Sequence, residues 1–105
     1  MPQLMDIVAI LRGKLEELYG PRLVRLVLFG SHARGDAEPG SDIDLLVVLR
    51  GDVNAGEEIK RTGGIVSDLS LINDVVISCI FMEEHRYLRR NGPLLRNIRR
   101  EGIAA

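Results

Sequence analysis

With 105 residues, 46% of them hydrophobic and 28% charged, the chain has enough apolar material for one core and reads as a single globular domain over 1–105. Fourteen basic against fifteen acidic side chains, a formal net charge of −1, argue against a protein that holds nucleic acid by bulk charge. The lone cysteine, Cys79, excludes an internal disulfide, and no apolar run nears the ~20 residues of a membrane span, so a cytoplasmic protein without a membrane partner is expected.

In chain order, Leu4, Ile7, Val8, Leu11, Leu15 and Leu18 recur at helical spacing and predict a helix over 3–19, ended by Gly20-Pro21. Residues 24–29 are apolar but for Arg25 and rich in strand formers, and predict a buried strand that stops at Gly30-Ser31. A polar segment of ten residues, His32 to Ser41, follows as a short helical turn and a loop. A second strand is expected over 42–49, where Leu45 to Leu49 are apolar without alternation, the pattern of a strand covered on both faces. Residues 57–71 suit a helix that Gly63-Gly64 weakens, with a kink or break expected there. A third strand is expected over 74–81, with Cys79 as a small core residue. Helices over 83–90 and 93–101 close the chain, separated by Asn91-Gly92-Pro93. The alternation of helices and strands is that of an α/β (α+β) domain.

The chemistry concentrates between residues 24 and 49. Gly30 permits a sharp turn and a close approach of the backbone to a ligand. Ser31 can cap a short helix, and the free backbone N–H groups at a helix start suit a phosphate. Asp42 and Asp44 stand two apart on a strand, so both carboxylates project from one face. Two hard oxygen donors on one face make half a Mg²⁺ site, with water and phosphate oxygens completing it. Arg34, close to the expected phosphate site, suits a triphosphate; it equally suits anchoring the loop through Asp36 or Glu38.

Gly30-Ser31, ten residues, then Asp42-Ile43-Asp44, with Ala33-Arg34-Gly35 between and Ser41 just before the pair, resembles the signature of the nucleotidyltransferase superfamily related to DNA polymerase β. The short chain resembles its minimal nucleotidyltransferase (MNT) branch, often encoded as antitoxins beside HEPN-domain toxins. The likeness is sharp over 24–49 and weaker elsewhere. It implies a small mixed sheet of three or more strands flanked by helices. It also implies a Mg²⁺-dependent transfer of a nucleoside monophosphate, AMP from ATP, to a hydroxyl with release of pyrophosphate. Gly30 and Ser31 would hold the β- and γ-phosphates, and Asp42 and Asp44 the metal. The acceptor implied is a tyrosine hydroxyl on a HEPN toxin partner.

Polymerase-β-like enzymes use a third carboxylate from a neighbouring strand. Asp74, at the start of the third expected strand and followed by Val-Val-Ile, resembles that position as catalytic residue and metal ligand. Ser78, four residues on along the same face, competes for it; a serine there would leave the site a carboxylate short. A second reading follows, in which the fold is a weakly active or inactive binding subunit that neutralises or assists a helical partner by contact. An arginine-rich end, Arg86 to Arg100, is read as a solvated face or a contact for an acidic partner rather than for nucleic acid. The sequence leaves homo-oligomerisation open.

Overall fold

The computed structural model describes residues 3–105. Helix α1, Leu4–Tyr19, begins in a capping box in which the Gln3 N–H donates to Asp6. It turns through a short 3₁₀ segment, Gly20–Arg22, into β1, Leu23–Phe29. A single helical turn, α2 (Ser31–Arg34), and a loop lead to β2, Ile43–Leu49. Helix α3, Ala55–Asn73, is capped by the Asn54 side chain accepting from the Glu57 N–H, and crosses to β3, Ile77–Glu83. Helices α4 (Glu84–Arg89) and α5 (Pro93–Glu101) precede a two-residue strand β4, Ile103–Ala104.

The sheet order is β3-β2-β1-β4. β2 lies antiparallel to β1 and parallel to β3, and β4 is antiparallel to β1, so the sheet is mixed and flanked by helices. β2 is buried on both faces, as its unbroken apolar run predicts. Ile43, Leu45, Val47 and Leu49 join Ile7, Val8, Leu11 and Leu15 of α1 and Leu69 of α3 in one core cluster. Leu46 and Val48 join Val27, Met82 and the α5 residues Leu95 and Ile98 in the other. Strand alternation therefore places Asp44, like Leu46 and Val48, on the face that α5 covers.

Three expectations need correcting. The third strand runs from Ile77 to Glu83, three residues later than the 74 at which it was expected. Asp74, taken as the strand's first residue, caps α3 in the left-handed region at φ 51°, ψ 50°, a conformation Asp tolerates better than most residues. Gly63-Gly64 does not divide α3, which continues to Asn73 because packing outweighs a propensity cost of ~1 kcal/mol per glycine. β4 had no expected counterpart: two residues are ordered by pairing with Val27 and Leu28, a signal no local pattern carries. Among the described residues, no helix is long and apolar enough to cross a membrane.

Candidate active site

β1 and β2 lie antiparallel, and their register sets Phe29 against Asp44. The residue after Phe29 therefore meets the Asp44 side chain. Gly30 stands there at φ 75°, and a Cβ on it would collide with the Asp44 carboxylate oxygen Oδ2. Only glycine accommodates both the positive φ and that contact. Gly30 then turns the chain into α2. Its carbonyl accepts from the N–H groups of Ala33 and Arg34 at 3.1 Å, while the first N–H groups of the turn, Ser31 and His32, have no intrahelical acceptor.

The loop back to β2 is fixed at both ends. The Ser41 hydroxyl accepts from the Glu38 N–H at 2.9 Å, and the Ser41 N–H donates to the Glu38 carbonyl at 3.0 Å. The His32 ring nitrogen Nε2 donates to the Ser41 carbonyl at 3.1 Å, tying α2 to the entry of β2. Asp42 follows, exposed, one residue before β2 begins, and Asp44 comes next within the strand, half-buried. Burial, and then the neighbouring Asp42 charge, push the Asp44 carboxyl above its ordinary value, against smaller opposing effects of His32 and Arg34. Among the described residues neither carboxylate has an ion-pair partner, and a hard divalent ion fits that donor set.

A family model described as a nucleotidyltransferase domain matches residues 8–103. The chain belongs to the nucleotidyltransferase family. A Methanocaldococcus jannaschii protein provisionally named a protein adenylyltransferase is 37% identical over 89 residues, covering 84% of this chain and 83% of the relative. A crystal structure of a toxin–antitoxin with AMP-PNP superposes with a TM-score of 0.62 at 19% identity, covering 90% of this chain and 69% of that one. A structure of a tri-AMPylated Shewanella oneidensis HEPN toxin in complex with an MNT antitoxin gives a TM-score of 0.50 at 18% identity, covering 91% and 69%. At these identities the two structures establish a shared fold.

The remaining site candidates of this nucleotidyltransferase fall in different places. Arg34 donates to Asp36 at 3.1 Å and to Glu101 of α5 at 3.2 Å, so its guanidinium anchors α2 to the loop and to the last helix. Of its two sequence-expected roles, the structure displays the anchor, through Asp36 rather than Glu38. Asp74 is exposed and lines a cleft of about 290 Å³ with His32, Pro39, Ser41, Val75 and Val76. It is not on the strand beside the pair. The residue that is beside Asp44 is Ser78, its partner in the parallel β2–β3 register, on the same face and exposed. Among the described residues, no group of three or more His, Cys, Asp or Glu side chains is arranged to hold a metal. The sequence alone missed Glu101 as the second anchor of Arg34, and His32 as the clasp on Ser41. Both depend on contacts that form only once the chain has folded.

Proposed function

We propose that this chain transfers AMP from ATP to a hydroxyl of a partner protein, releasing pyrophosphate. The observation that carries this reading is the packing of Asp44 against Gly30, which sets the Asp42–Asp44 pair beside the Gly30-Ser31 turn. The Gly30-Ser31 turn, with the Ser31 and His32 N–H groups free of intrahelical acceptors, would hold the β- and γ-phosphates. Asp42 and Asp44 would hold Mg²⁺, which supplies charge neutralisation on the phosphates. In the reaction the acceptor oxygen attacks the α-phosphorus. The bond from that phosphorus to the oxygen bridging the α- and β-phosphates breaks, pyrophosphate leaves with its electron pair, and the acceptor proton passes to solvent. The relative named for protein adenylylation and the AMPylated HEPN toxin beside its MNT antitoxin support a HEPN toxin as acceptor, and the likeness to MNT antitoxins implies a tyrosine hydroxyl on it. On that reading the chain is the antitoxin.

Ser78 opposite Asp44 supports a second reading. A neutral hydroxyl where a third carboxylate would complete the metal-binding set leaves a site that binds nucleotide yet transfers it slowly. The fold would then act mainly as a subunit that neutralises a helical partner by contact. Labelled phosphate from ATP carrying the isotope at the α-position, followed onto a co-purified partner, separates the two. Label that depends on Mg²⁺ and disappears with Asp42→Asn supports transfer. A tight complex that forms without label, and survives Asp42→Asn, supports the contact reading and overturns the first.

A further inference from the structure

The net charge of −1 conceals a strong polarity. Residues 84–100 carry six arginines against one acid, Glu84, whereas the rest of the chain holds eight basic and fourteen acidic side chains. The fold gathers those arginines on α4, on the residue that caps it, Arg90, and on α5. Among the described residues, no carboxylate lies within ion-pair distance of Arg86, Arg89, Arg90 or Arg96, and all four are exposed. Between the two helices lies a cleft of about 280 Å³. Met82, Pro93, Leu94 and Leu95 line it with apolar surface, and Arg86 and Arg90 line it with charge. Leu88 and Leu94 nearby are 66% and 43% exposed, so the surface offers apolar contact as well as charge.

This cleft and the carboxylate pair belong to one face of the sheet. Asp44 pairs with Ser78 and Val48 with Met82, so Met82 stands four residues along β3 from the site, about 13 Å at the ~3.3 Å rise of a strand. Helix α5 spans the same interval. Its first turn lines the cleft, its last residue Glu101 holds Arg34, and nine residues at ~1.5 Å give a similar length. A polypeptide of about four extended residues would therefore reach from the cleft to the carboxylates.

We propose that the α4–α5 face docks an acidic polypeptide segment bearing an apolar side chain, and so presents the acceptor hydroxyl to the site. The acceptor clause rests on the proposed transfer; the docking does not. A polypeptide suits this face better than a nucleic acid. Single strands bind by stacking bases on open aromatic rings, and the aromatic here, Tyr87, is already taken up by Arg25 and Arg99, at 5.7 and 5.6 Å from its ring centre.

The test uses fluorescence anisotropy without nucleotide, with a labelled random copolymer of glutamate and tyrosine as the probe. Wild type is expected to bind it at low salt. Arg86→Glu/Arg90→Glu is expected to weaken binding by about tenfold or more, because like charges across a docking surface repel. Lys14→Glu/Lys60→Glu, on α1 and α3, removes the same charge elsewhere and is expected to leave binding unchanged. Arg89→Ala/Arg96→Ala, a neutralising pair, is expected to weaken binding less than the reversal does. Absence of binding to wild type overturns the proposal. So does equal loss in the Lys14/Lys60 variant, or tighter binding of a single-stranded oligonucleotide of matched charge. A positive result here with no label transfer from ATP would retain the docking face and reject the transfer.

Discussion

At the scale of single residues, the site is held in tension. Burial, and then the neighbouring Asp42 charge, favour the protonated form of the Asp44 carboxyl. A carboxyl whose folded pKa lies above its unfolded value costs stability when charged, and that cost fades as pH falls through the raised value towards the ordinary 3.8. Asp44→Asn should therefore melt higher than wild type at pH 7, with the gap closing as the pH is lowered, while metal-dependent ATP binding is lost. Thermal melts across pH check the first part and calorimetry the second; a variant less stable at pH 7 would contradict the charge argument. Ser78 is the complementary case. Ser78→Asp should melt below wild type without divalent metal, because it adds a third negative charge beside Asp44. It should also bind Mn²⁺ more tightly, on the order of tenfold, since carboxylate count tunes affinity at oxygen-donor sites. Paramagnetic titration with Mn²⁺ reads that directly; unchanged affinity would mean that Ser78 does not face the pair. Cys79, by contrast, stays a structural thiol: burial pushes it up to about 11, out of the range of a nucleophile at neutral pH.

At the scale of elements, α3 decides more than its neighbours, because where it ends fixes which β3 residue faces Asp44. Neither Gly63 nor Gly64 would bring an added Cβ within 4 Å of another group. Gly63→Ala and Gly64→Ala should each stabilise the protein by ~0.5–1 kcal/mol. Urea unfolding with an unchanged m-value would verify this, and a loss of stability would show that α3 needs its glycines for packing. The same two residues suggested a broken helix, so the sequence located the helix but not its end. With that end went the position of the third strand. What was legible was local: the Pro93 start and amphipathic face of α5 give its observed bounds, and the apolar runs of β1 and β2 fix those strands to within a residue. The adjacency of Gly30 and Asp44 was legible too, as a motif. The Ser78 register, the Arg34–Glu101 bond and β4 were not, since each depends on a segment far along the chain.

At the scale of the whole molecule, the site and the core are one construction. β2 carries Asp44 at one end, and its next five residues are fully buried between α1 and α3 on one side and α5 on the other. A ligand on the Asp42–Asp44 pair and the Gly30 turn touches the junction of β1 and β2, which cannot open without exposing both clusters. Binding there should therefore be felt as global stability rather than as local order. ATP with Mg²⁺ at about a hundredfold its dissociation constant adds ~2.7 kcal/mol to the folded state. For a domain of this size that corresponds to a rise in Tm of roughly 10 °C or more. Wild type should show this shift, with far-UV and near-UV signals moving together, and Asp42→Asn should not. A shift in one signal only would mean that the nucleotide orders α2 and its loop without engaging the sheet. An equal shift in Asp42→Asn would place the nucleotide away from the carboxylates.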